Sequence, residues 1–340
     1  MKSSLELFRF LFICIIAIWH DNTLNIFSHS VVVEFFFIQS GFLLYLNFNK
    51  NNYSPLCFAK KRLKRLYCEY FFALLITLII NIVKEPTNNA FISSQLSSLL
   101  PELFMIQSIG LFEGGINPVN WYINVLFVGS FFLYALLYCN SKYAKNILIP
   151  ALALCGLTYF FSTGDSVVRW ETNGFVYLPL LRGLCSMSVG IVYAYIYQES
   201  CIKSFFSLFL INLLSVVAIV LIFVATGTEA CLDRYVIFLS PFIIIACFED
   251  KSWLNYMFHS KWQLWLGRIS YPMLLIHCAY IPIFHKLISV LTLQFSVEIP
   301  FGVKLSMYLI ILVLLSALFQ KFCDIIRNNT SRLFDRVDKL

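Results

Sequence analysis

The stretch Glu6–Asp21, ELFRFLFICIIAIWHD, is apolar enough to be a membrane helix, yet it carries Arg9 towards one end and His20 towards the other. A bilayer's hydrocarbon core is about 30 Å thick, and each helical residue adds about 1.5 Å, so a run of this length reads as one crossing. Arg9 interrupts the apolar run and no small-residue cleavage site follows it, which argues for a retained helix over a signal peptide. An ionisable residue inside a membrane helix is costly and marks a functional position by default.

The rest of the chain repeats the pattern. Its 340 residues are 60% hydrophobic and 13% charged, with 35 phenylalanines and a mean hydropathy of +0.79. No soluble core of this size needs so much apolar surface. The sequence predicts an all-α integral membrane protein, a polytopic bundle of about ten spans at roughly 5–21, 30–48, 68–84, 121–139, 147–163, 177–197, 205–225, 234–249, 270–290 and 304–323. Together they form one transmembrane domain over residues 1–340, with a short basic tail at 324–340.

The net charge of +7 does not point to nucleic acid, because the cations gather in short connections, where they set sidedness. With the N-terminus in the cytoplasm, the inner segments hold Lys50, Lys60, Lys61, Arg62, Lys64, Arg65, Lys142, Lys145, Lys203, Lys251, Lys261, Arg268, Lys321, Arg327, Arg332, Arg336 and Lys339, and the outer ones chiefly Lys84, Arg169 and Arg234. Only an even number of spans keeps this asymmetry, so both termini are expected in the cytoplasm. Glu85–Asn120 is the longest outer connection, and SSQLSSLLPELFMIQSIGLF within it can lie in the interface or re-enter the membrane. Eleven cysteines with no CxxC pair and no zinc-type Cys/His spacing predict no metal.

Arg9 and His20 are eleven residues apart. At about 100° per residue they fall within roughly 20° of one face and about 16 Å apart along the axis. Such a stripe, with Glu6 and Asp21 beside it, can line a polar path, and His20 is the candidate general base near neutral pH. The competing reading has Arg9 snorkelling to the surface and His20 ending the span.

Four further stretches carry polar groups among apolar residues. SVVVEFFFIQSGFLLYLNF places Glu34, Ser40 and Gly41 in the second span, where small residues also serve close helix packing. FAKKRLKRLYCEYFF sets five cations in six positions, a topology anchor that also suits a polyanion, since Arg grips phosphate in a bidentate fork. LLRGLCSMSVGIVYAY buries Arg182, which needs an acid such as Glu34 or a ligand. WLGRISYPMLLIHCAYIPIFH opens the ninth span with a turn-like Gly267 and puts Ser270, Tyr271 and Pro272 in its first turn, with His277 about 9 Å further along; a structural histidine bonded to a neighbouring helix is the competing reading there.

Together these stretches resemble the membrane-bound acyltransferase-3 family, bacterial enzymes that O-acylate surface and exported glycans. The family's arginine, ten residues and histidine are matched by Arg9 and His20, its FFxxSG by FFFIQSGF with Ser40 and Gly41, and its RxxRxxP by Arg62 and Arg65 with Cys68 in place of proline. Its LGxxSYxxYLxH appears as LGRISYPMLLIH with Gly267, Ser270, Tyr271 and His277 in register, Met273 or Leu274 replacing the aromatic. NPVNWYINVLFV is similar to its Trp-containing helix start, which brings in Trp121 and Tyr122.

The resemblance implies an O-acetyltransferase of the bacterial cytoplasmic membrane. It would use acetyl-CoA as co-substrate with no permanently bound cofactor, and a glycan or lipid-linked glycan as acceptor. Arg9, Arg62 and Arg65 would hold the CoA phosphates. His20 would act as base, with Ser40, Tyr271, His277 or a backbone amide at the oxyanion. Glu34, Arg182, Trp121, Tyr122 and Ser270 would shape the structure or the substrate path. A covalent acyl relay, a homo-oligomer, and a transporter or flippase with Arg9, Glu34 and Arg182 along its path remain alternatives.

Overall fold

The computed structural model describes residues 2–21, 30–51, 53–107, 115–163, 172–173, 176–199, 207–227, 232–296 and 298–337. Arg169, Lys203 and Lys339 lie outside the described residues, as do residues 108–114 of the long connection and the side chains of Arg332 and Arg336.

The chain is helical almost throughout. In order run α1 (Ser3–His20), α2 (Ser30–Asn51), α3 (Pro55–Lys84), α4 (Asn89–Leu103), α5 (Asn120–Cys139), α6 (Ser141–Tyr143), a π-helical turn (Ala144–Leu148), α7 (Ile149–Thr163), α8 (Leu178–Gln198), α9 (Leu208–Gly227), α10 (Asp233–Phe248), α11 (Trp253–Met257), α12 (Lys261–Phe295) and α13 (Phe301–Val337). Thr172–Asn173 and Val176–Tyr177 form a minimal antiparallel pairing.

Among the described residues nine helices are long and apolar enough to cross a membrane, the sixth, α7 and the π turn counting as one. The remaining predicted span, the eighth at 234–249, is α10, which at 16 residues is shorter than those nine. Its aliphatic positions are nearly all buried in the bundle, so it packs against protein more than lipid. Every predicted span thus has its helix.

Three boundaries differ from expectation. The basic segment before the third span is no loop: Ser54 accepts the Cys57 amide at 3.3 Å, Pro55 occupies the first turn, and one helix runs 30 residues to Lys84. That cap lets the cationic run continue the helix. Gly267 is not turn-like and Pro272 is not in a first turn, because a Ser260–Gln263 capping box starts α12 at Lys261 and both residues fall in its interior. The predicted tail also continues α13 as far as Val337.

Close packing holds the central layer. α2 lies against α8, and a Cβ on Gly41 would meet the Met187 carbonyl, while one on Gly190 would meet that of Ile38. Two backbones therefore touch directly, the arrangement that small residues permit in lipid. α1 lies against α12, with the Tyr308 hydroxyl of α13 donating to the Ala17 carbonyl at 2.9 Å. That contact sets the functional residues of the first and ninth predicted spans side by side.

Candidate active site

His20 ends α1 and faces His277 of α12. Nδ1 of His277 lies 2.8 Å from the Leu274 carbonyl and 3.3 Å from that of Met273, so it carries the ring proton and leaves Nε2 as an acceptor. That Nε2 lies 3.3 Å from His20 Nδ1, which is also 2.9 Å from the Ile16 carbonyl. Surrounded by acceptors, His20 Nδ1 holds its proton, and Nε2 becomes the basic nitrogen of the ring.

The same ring lines a cavity of about 280 Å³ enclosed by Ile16, Trp19, Val33, Phe36, Pro118, Val119, Trp121, Tyr122 and Leu274. Its wall is chiefly aromatic and aliphatic, with few polar groups, as small-molecule sites tend to be. Trp121 and Tyr122 enter it from the first turn of α5.

The arginines gather on the other side of Tyr122. Arg9 Nη1 donates to Glu6 at 2.7 Å, and Glu6 is itself buried against Gly267, where any side chain would collide with its carboxylate. Glycine at 267 is thus a space for Glu6. Arg62 donates to Ser40 Oγ at 3.0 Å, tying α3 to α2. Arg65 interacts electrostatically with Arg9, Glu6 and Tyr271, and Tyr122 with Arg62 and Arg9. Three cations from two helices therefore form one cluster, and two of them, Arg62 and Arg9, act on a tyrosine that also borders the His20 cavity.

The remaining candidates take supporting positions. The Tyr271 hydroxyl donates to the Leu66 carbonyl at 3.1 Å, bracing α12 on the cationic stretch of α3. Ser270 Oγ donates within its own helix to Leu266 at 2.9 Å. Arg182 meets Glu34, 2% and 0% exposed, and Ser186 donates to the same carboxylate. The Arg182 guanidinium also lies 5.6 Å over the Trp121 ring, so this buried pair backs the cavity wall. Asp21 turns away from the stripe to His285, at 3.0 Å.

Glu102 was not singled out in the sequence. It is fully buried at the end of α4, outside the membrane-spanning helices, where it accepts from the Ile116 amide and from Asn120 Nδ2. Burial outweighs those donors and raises its carboxyl to about 7. Asn117 in the same turn donates to the Leu275 carbonyl at 2.8 Å, fastening this segment to α12. Pro118 and Val119 of that segment form one wall of the cavity. A lone carboxylate in the apolar run LLPELF was the available signal. Cys278 was also missed, although it sits next to His277 with Sγ 3.3 Å from Nε2.

The helical bundle carries His20 on a cavity, His277 behind it and a cluster of arginines nearby. Residues 2–320 match the family model described as an acyltransferase domain, and the chain belongs to the acyltransferase-3 family: it is a multi-pass membrane acyltransferase. No curated protein and no solved structure matches it.

Proposed function

We propose that the chain transfers an acetyl group from cytoplasmic acetyl-CoA to a hydroxyl of a surface or exported glycan in the bacterial cytoplasmic membrane. The observation that carries this reading is Tyr122, which borders both the His20 cavity and the cluster of Arg9, Arg62 and Arg65. A CoA phosphate held at the arginines would leave its pantetheine arm to run along α1, whose Arg9 and His20 are about 16 Å apart.

In this mechanism His20 Nε2 takes the proton of the acceptor hydroxyl as its oxygen attacks the thioester carbonyl. The C–S bond then breaks, and the departing thiolate takes that proton from the imidazolium, which restores the base. His277 acts through His20 by holding its tautomer. Ser40 and Tyr271 act by seating Arg62 and α3. The largely apolar wall offers water few hydrogen-bond partners beside the acyl group.

Family membership favours this reading over a transporter, and the Glu34–Arg182 pair satisfies itself inside the bundle instead of presenting charge to a path. The test is mass spectrometry of surface glycans from cells carrying the wild type or His20→Ala at equal membrane levels. An acetyl-sized mass difference that disappears in the variant is expected. Undiminished acetylation with His20→Ala would overturn the mechanism, and glycan movement without acetyl-CoA consumption would favour transport.

A further inference from the structure

The histidine pair has a third donor beside it. Cys278 Sγ lies 3.3 Å from His277 Nε2, which lies 3.3 Å from His20 Nδ1. The donor atoms of the three residues all fall within 4.8 Å of one another, and among the described residues they are the one set of three or more histidine, cysteine or carboxylate side chains to meet this closely.

Zinc bonds of about 2.0–2.3 Å in a tetrahedron place donor atoms roughly 3.3–3.8 Å apart; the two separations to His277 Nε2 already match at 3.3 Å, and a shift of about 1 Å at most brings Cys278 and His20 within that range. His277 already has the form a ligand requires, with Nε2 carrying a lone pair instead of a proton and Nδ1–H satisfied by the Leu274 carbonyl at 2.8 Å. That carbonyl contact is the outer-shell bond that metal-bound histidines typically make. Two imidazoles and a thiolate suit zinc or cobalt better than magnesium or calcium, which favour oxygen.

We propose that His20, His277 and Cys278 form an inhibitory site for a zinc-class divalent cation. The fourth position goes to water reaching it by the cavity that His20 lines. Cys278 releases its thiol proton to solvent on binding, and no electron moves. The His20 ring binds through Nδ1, and its proton shifts to Nε2 as the Ile16 hydrogen bond is given up. His20 then offers a donor where acyl transfer needs an acceptor. This inhibitory consequence rests on the function proposed above, whereas metal binding does not.

The test uses the full chain in nanodiscs, cleared with chelator and titrated with Co²⁺ and then Zn²⁺. One equivalent of Co²⁺ should give tetrahedral absorption with a thiolate charge-transfer band, displaced by Zn²⁺. Zn²⁺ should stop acyl transfer reversibly. Cys278→Ser should lose the charge-transfer band, keep its activity without metal, and bind Zn²⁺ at least about tenfold more weakly, the minimum that even an outer-shell change costs. Absent stoichiometric binding overturns the site while leaving the proposed function intact. Equal inhibition of Cys278→Ser and wild type overturns it as well. Binding with the full signature but undiminished transfer overturns the inhibitory role, and with it His20 as base, while the metal site stands.

Discussion

Nε2 of His277 lies 3.3 Å from Nδ1 of His20, although 257 positions separate the two residues in the chain. Carbonyls on both helices hold a proton on each Nδ1, so the pair has a direction: His277 accepts from His20, and His20 keeps its other nitrogen basic.

His277→Ala should therefore slow transfer without loosening donor binding. A fall in kcat of about 10–100-fold, the usual effect of losing an orienting partner, is expected with KM for acetyl-CoA nearly unchanged. The acidic limb of the pH–rate profile should move as well. A purely structural histidine would lower the amount of folded protein and leave that profile where it is.

Arg62 meets Ser40 at 3.0 Å and stands beside Arg65 and Tyr122. Arg62→Ala should raise KM for acetyl-CoA by about tenfold to a hundredfold, the worth of one or two charge-assisted hydrogen bonds. Arg62→Lys should recover part of it, since Lys keeps the charge and loses the fork. Initial rates against acetyl-CoA concentration check this, and Ser40→Ala should show a smaller shift of the same kind.

Glu34 and Arg182 neutralise one another in the interior. Removing either partner leaves a buried charge unpaired, so Glu34→Ala and Arg182→Ala should each destabilise by about 3–5 kcal/mol. The double replacement with leucine and methionine should be more stable than either single variant. Thermal unfolding in detergent measures all three.

Glu102 gives stability a pH dependence. Its carboxyl sits near 7 when folded, against an ordinary value of 4.5, so the folded state binds the proton more tightly. Its contribution is fully present below 4.5 and is lost as pH rises through 7. The whole effect amounts to a few kcal/mol at about 1.4 kcal/mol per unit. The unfolding midpoint should fall between pH 5 and 8 in the wild type, and Glu102→Gln should flatten that slope.

The helices and their order were legible in the residues, because bilayer thickness and backbone periodicity act locally on each apolar run. The Arg9–His20 stripe followed from the same periodicity, and the need to neutralise Arg182 pointed to Glu34, which is its partner. Gly267 misled: glycine signals a turn, but here it clears room for Glu6. The basic stretch from Lys60 to Arg65 read as a loop because charge density hides a helix whose cap lies at Ser54.

The membrane class, the helix positions, the family resemblance and the residues on one face of α1 are all readable along the chain. Helix packing, by contrast, sets His277 and Cys278 against His20, places Tyr122 between cavity and arginines, and lets Glu102 fasten the outer segment. Those relationships depend on how α1, α3, α5 and α12 pack, and side-chain meetings between separate helices leave no period or motif in the chain.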